Sequence, residues 1–171
     1  RFKEQNFQTI EIQPTFDYKK EIWLHHTNNT LQAFKNVLSK LNNEEAAPLP
    51  ICVFINSTDI IYSLMKQLDL LEESAVFCAP KSVDKLKKNR FCNVYEQWNK
   101  DKMKRYNFFT SRFFNAVDME LEEQPHVIML TDVYFAEHTM IDPYTDAIQI
   151  VGRFRNGVSS ITYISTVSYT H

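Results

Sequence analysis

The chain has 171 residues and only two glycines, Gly152 and Gly157. At ordinary usage of roughly 7% it would carry about a dozen. No phosphate loop of the GxxxxGK[ST] type is present, because Val158 and not a lysine follows the second of the two glycines. No stretch approaches the roughly 18 apolar residues of a membrane span. The start, RFKEQNFQ, lacks the apolar region and small-residue cleavage site of a signal peptide. There is no initiating Met, so the chain reads as a piece of something longer. Cys52, Cys78 and Cys92 are odd in number, widely spaced and without a CxxC pair; they read as free, buried thiols, and with them comes an expected cytoplasmic location. His25 and His26 have no second ligand cluster, so no metal site is expected. The sequons NNT (28–30) and NST (56–58) carry little weight without a secretion signal. GxSxG is missing, and His126 and His138 stand alone, which disfavours a nucleophile–base hydrolase.

What is present is an aromatic-rich globular chain: 13 Phe, 8 Tyr and 44% apolar residues. The net charge of −2 is unevenly spread. Residues 81–105 hold nine basic and three acidic residues, hence +6, which leaves −8 for the remainder. A solvated helix face and a surface facing phosphates are both open readings of that segment. The runs ICVFIN (51–56), SAVFCAP (74–80), RYNFFTS (105–111), HVIMLT (126–131) and SSITYIST (159–166) read as strands, several of them covered on both faces. FQTIEIQ (7–13) and EIWLHH (21–26) read as shorter extended segments around Pro14. Helical spacing marks 27–43, 57–70, most of 81–105 and 142–156. Strands alternating with helices predict an α/β layer fold with a mainly parallel sheet flanked by helices, and ligands gathered at the carboxyl ends of the strands.

Both glycines fall in DPYTDAIQIVGRFRNG. On a helix beginning with Asp142 as cap and Pro143 at the first position, Ala147, Ile150, Val151 and Phe154 share one arc. Gln149, Gly152, Arg153 and Asn156 share the other, with Arg155 beside Gly152. A glycine inside a helix costs about 1 kcal/mol relative to Ala. It is explained by close approach of something bulky between guanidiniums, or it is incidental on a solvated face, with Gly157 as an ordinary helix stop.

QIVGRFR resembles motif VI, Q-x-x-G-R-x-x-R, of the superfamily 2 helicases. TSRFFNAVDM (110–119) resembles their motif V, and ICVFINSTDIIYSLMKQL their motif IV region. Two departures stand out: Asn156 occupies the usual place of the second motif VI arginine, with Arg155 one residue earlier, and Ala116 replaces the motif V glycine. The resemblance covers about residues 45–167. It implies a RecA-like three-layer domain at 45–171, the second motor domain, with 1–44 joining it to a first motor domain that is not in this chain. It further implies ATP and Mg²⁺ in the full-length protein, held by that P-loop lobe, and neither in this piece alone. Arg153 and Arg155 would be arginine fingers aided by Gln149; Gly152, Asp118 and Asn156 would lie against ATP. Asn56, Ser57, Lys81, Thr110, Ser111 and Arg112 would hold one strand of nucleic acid, DNA before RNA. The alternatives are a non-motor nucleic-acid- or protein-binding module of the same fold, or an unrelated α/β enzyme.

Overall fold

The structure, a computed structural model, describes residues 7–12, 20–44, 47–115 and 117–167. Ala116 and Pro14 lie outside the described residues. Eight strands form one sheet: β1 (Phe7–Ile12), β2 (Lys20–His26), β3 (Ile51–Phe54), β4 (Ser74–Phe77), β5 (Val94–Tyr95), β6 (Tyr106–Phe109), β7 (His126–Thr131) and β8 (Ser160–Ser165). Their order is β1-β2-β8-β7-β3-β6-β4-β5. Seven are mutually parallel, and β1 closes one edge antiparallel to β2. β3, β4, β6 and β7 are buried at every position, as expected of strands covered on both faces. β2 pairs in parallel with β8, so the sheet runs across the expected boundary at residues 44/45.

Four helices accompany the sheet: α1 (Thr30–Glu44), α2 (Thr58–Gln67), α3 (Pro80–Lys88) and α4 (Asp146–Gly152). The right-handed crossover rule divides them between the faces. The steps from β2 to β3, β3 to β4 and β4 to β5 all run one way along the sheet, and α1, α2 and α3 cover one face. The steps from β5 to β6, β6 to β7 and β7 to β8 run back, and their connections, including Trp98, Met103, Phe113 and α4, cover the other. The result is a three-layer α/β fold of the RecA-like type. Among the described residues no helix is long and apolar enough to cross a membrane.

Several expected boundaries move. The basic segment is helical only to Lys88; beyond it lie the short β5 and a single 3-10 turn at Lys100–Lys102. The helix expected over 142–156 is regular only from Asp146 to Gly152. The Asp142 carboxylate does accept the Tyr144 N–H (2.7 Å), but the residues after it form a turn. At the far end the backbone of Arg153 and Arg155 bonds to Met119 instead of continuing the helix. Cys52 and Cys78 are buried free thiols, and burial pushes the Cys78 thiol up to about 12; Cys92 is exposed, contrary to expectation.

Lack of glycine leaves a mark on two helix ends. α2 and α3 both close with a Schellman pair: Leu70 N–H to Met65 O and Asp69 N–H to Lys66 O, then Phe91 N–H to Leu86 O and Arg90 N–H to Lys87 O. That motif needs a left-handed residue, usually glycine. Here Asp69 (φ 56°) and Arg90 (φ 65°) take it, each with a Cβ in the way. Arg90→Gly is expected to raise stability by about 1 kcal/mol in urea denaturation, because relief of left-handed strain exceeds the added chain entropy. A loss of stability would show that the arginine side chain compensates the strain.

Candidate functional site

On the face covered by α4, the last residues of three neighbouring strands stack in one row. The Phe54 and Phe109 rings are 4.9 Å apart and the Phe109 and Phe77 rings 5.0 Å, both near parallel. Register aligns them, Phe54 opposite Phe109 and Phe109 opposite Phe77. Phe113 packs edge-on against Phe77 and Phe109; Phe114 and Phe154 pack edge-on against Phe54. The row therefore holds both the segment after β6 and the segment after α4. Between them the chain forms one parallel bridge: Met119 N–H to Arg153 O (2.7 Å) and Arg155 N–H to Met119 O (3.2 Å). Met119 and Phe154 point inward and are buried, so by strand alternation Asp118, Arg153 and Arg155 are turned toward solvent.

This bridge assembles a charged cluster from residues more than 30 positions apart. Arg155 Nη2 lies 2.6 Å from Asp118 Oδ2, and Arg153 Nη1 lies 3.3 Å from Asp118 Oδ1. Arg153 Nη1 also reaches the Asn115 carbonyl at 3.4 Å, while its Nε is shielded from water with no partner. The side chains are 27% (Arg153), 52% (Arg155) and 46% (Asp118) exposed, so the cluster is open to a ligand but not fully solvated. Its net charge is +1, with donors in excess of acceptors, which suits an anion.

The Arg155 hydrogen bond, aided by the charges of both arginines and opposed by partial desolvation, holds the Asp118 carboxyl below the usual carboxylate range.

The two glycines separate here. Gly157 is required by the backbone: φ is +86°, and an added Cβ would lie 3.0 Å from Gln124 Nε2. Gly152 is exposed at the end of α4, and a Cβ there meets nothing within 4 Å. Internal packing does not account for it. Gln149 is exposed on α4, one turn before the cluster. Asn156 turns away: its Nδ2 donates to the Leu121 carbonyl (2.8 Å).

The expected strand-end residues lie together at the carboxyl edge of adjacent strands β3, β6 and β4. β3 leaves toward one face and its neighbours β6 and β7 toward the other, so crevices open on both sides of it. Asn56 sits in this region: its Oδ1 accepts the Ser111 N–H (3.4 Å) and its Nδ2 donates to the His138 carbonyl (2.9 Å). Ser111, Arg112 and Lys81 are exposed. Ser57 and Thr110 are buried, and the Ser57 hydroxyl is already used to cap α2 by accepting the Ile60 N–H. In the basic segment, Lys85 pairs with Asp59, Lys100 with Glu122, and Lys104 with the Glu72 carbonyl, so part of that charge is spent within the fold. Among the described residues no group of three His, Cys, Asp or Glu side chains is placed to hold a metal.

The bridge was missed by the sequence reading. Its trace is the alternation polar–apolar–polar in both DME (118–120) and RFR (153–155), a strand signature that in RFR falls inside what reads as a helix. The chain matches no family model, no curated protein and no solved structure.

In a ¹³C-detected titration, Asp118 is expected to protonate below the normal aspartate range, and Arg155→Ala is expected to move it back up. Because the folded value is depressed, the stability contributed by this pair is complete above the unfolded value. It is lost as pH falls through the folded one. An Asp118 titration unchanged by Arg155→Ala would remove the ion pair from the site.

Proposed function

We infer that this chain is the C-terminal motor half of an ATP-dependent nucleic-acid helicase or translocase. One observation carries the reading: Asp118, Arg153 and Arg155 meet in a single exposed cluster. These are the residues of the motif V-like and motif VI-like segments that the resemblance assigns to nucleotide, and they are not neighbours in sequence. ATP would be held by a P-loop lobe outside this chain and would meet the cluster as the two lobes close. Mg²⁺ would be held there as well, since the cluster offers a single carboxylate, already engaged by two guanidiniums.

In this mechanism Asp118 keeps both guanidiniums oriented while the cleft is open. When phosphates arrive, Arg155, the more exposed of the two, exchanges its carboxylate partner for the γ-phosphate. It then neutralises charge that builds on the equatorial oxygens as water displaces ADP. Arg153, anchored at Asn115, stays with Asp118 and holds it in place, which leaves the Asp118 carboxylate able to accept a ribose hydroxyl. Gly152 leaves room at the end of α4 for the approaching lobe. The carboxyl-edge residues Asn56, Ser111, Arg112 and Lys81 grip one strand by its phosphates, DNA before RNA, without reading sequence. Residues 110–118 join that edge to the cluster, so closure at the nucleotide is felt at the strand.

A second reading, a binding module without motor activity, draws on the same ion pairs: a carboxylate that bridges two arginines also suits a structural staple. In the full-length protein, Arg155→Ala is expected to lower ATP turnover by about 10³-fold with nucleic-acid binding retained. Gly152→Ala is expected to leave the melting temperature unchanged or raised while slowing turnover. Absence of any ATPase in the full-length wild-type protein would leave the binding module in its place.

A further inference from the structure

Among the described residues, the large apolar side chains that stand exposed are Tyr134, Phe135, Met140, Tyr144 and Ile148. All fall within 15 residues of one another, between β7 and the middle of α4. Such crowding on an otherwise well-buried chain marks an interaction surface. Ile148 lies four residues before Gly152 on α4 and so belongs with the charged cluster, and Tyr144 lies in the turn ahead of that helix. Tyr134 and Phe135 are different. They are 77% and 63% exposed and lie at the tip of the connection leaving β7 at the carboxyl edge.

That connection is firmly built. Thr131 Oγ1 accepts the Ile141 N–H (2.8 Å) and bonds the Tyr163 hydroxyl (2.8 Å), which in turn donates to the Ile141 carbonyl. Thr139 Oγ1 accepts the Asp132 N–H and donates to the Ala136 carbonyl. The Asp132 carboxylate accepts the Phe135 N–H (3.1 Å) and the Thr30 hydroxyl (2.8 Å). Two aromatic rings are thus held out into water on a loop whose base is fixed by buried bonds. Asn56 ties the same loop, through His138, to Ser111 at the end of β6. The carboxyl edge therefore runs without a break from the rings above β7, past Asn56 at β3 and Ser111 with Arg112 at β6, to Lys81 after β4. At strand spacings near 4.8 Å this is about 14 Å, enough for a few nucleotides. Cations lie at one end and π faces at the other.

We propose that Tyr134 and Phe135 are a base-stacking platform for the single strand whose phosphates Arg112 and Lys81 hold. The proposal rests on the strand-gripping part of the function inferred above. Stacking suits a sequence-independent grip, because every base has a π face and an aromatic side chain needs no hydrogen-bond code to receive it. The connection that carries the rings also carries Asp132, Glu137 and His138, and Asn56 bonds its backbone, so polar groups share this edge with the rings, as at a wet nucleic-acid groove.

The test uses this chain, a labelled oligothymidylate of twelve nucleotides, and an abasic oligomer of equal length and charge, at low salt. Wild-type protein is expected to bind the thymidylate more tightly than the abasic backbone. Tyr134→Ala/Phe135→Ala and Tyr134→Leu/Phe135→Leu are each expected to lose about tenfold or more on thymidylate and nothing on the abasic strand, with salt dependence unchanged. Lys81→Ala/Arg112→Ala is expected to weaken both probes and flatten the salt dependence. Both ring positions are exposed, so thermal melting should match the wild type. If the leucine pair keeps wild-type affinity, or if loss of the rings changes neither probe, the rings are an apolar docking surface for protein and the platform is refuted. Equal binding of both probes by the wild type refutes stacking but leaves the strand grip standing. Binding of neither probe removes the strand grip and the platform together.

Discussion

The row of phenylalanines across β3, β6 and β4 is the constraint on which the rest of the candidate site depends. Phe54, Phe109 and Phe77 present three flat rings at the carboxyl end of the sheet, and three further rings, Phe113, Phe114 and Phe154, close on them edge-on. Each such pair contributes about 0.5–1.5 kcal/mol beyond simple burial. The larger consequence is positional. Phe113 and Phe114 fix the chain just beyond β6, and Phe154 holds the chain between Arg153 and Arg155. Charged groups that would otherwise sit on two independent loops are brought to hydrogen-bonding distance by apolar contacts beneath them. The ion pairs themselves are partly exposed and contribute little to stability; they report the geometry rather than create it.

Topology supplies the second condition. Connections that step one way along the sheet cover one face and those that step back cover the other, so β3 departs toward one layer while β6 and β7 depart toward the opposite one. The carboxyl edge is left unroofed at that point, and polar residues from three strands collect there. A single short segment, 110–118, begins at this edge and ends at the charged cluster. Phe113 and Phe114 beyond this edge and Phe154 at the cluster all pack on the same aromatic row, so both regions rest on one set of buried rings.

Much of this was legible in the residues. Continuous apolar runs located the central strands, and the helical wheel of 142–156 sorted Ala147, Ile150, Val151 and Phe154 to the inside, where all four are buried. The polar strand ends lie where alternating strands and helices place them. Other features depend on contacts that local pattern does not encode. β5 is two residues long and exists because β4 offers it an edge. Asp69 and Arg90 adopt the left-handed conformation because Leu70 and Phe91 must turn back onto the core, a tertiary demand that overrides residue preference. The pairing of Asp118 with both arginines needs the Met119–Phe154 bridge, and a helical period drawn through Gly152 hides it. Charge counting overstated the basic segment as well, since several of its lysines are bound to nearby acids or carbonyls within the fold.

Buried aromatic packing, through the Met119–Phe154 bridge, sets the positions of Asp118, Arg153 and Arg155. Amide hydrogen exchange at Met119 and Arg155, compared between the wild type and Phe154→Ala, tests it most directly. Slow exchange is expected at both amides in the wild type. In the variant fast exchange is expected at these two while β3, β6 and β7 stay protected. Protection that survives loss of the Phe154 ring, or two amides that exchange freely in the wild type, would contradict it.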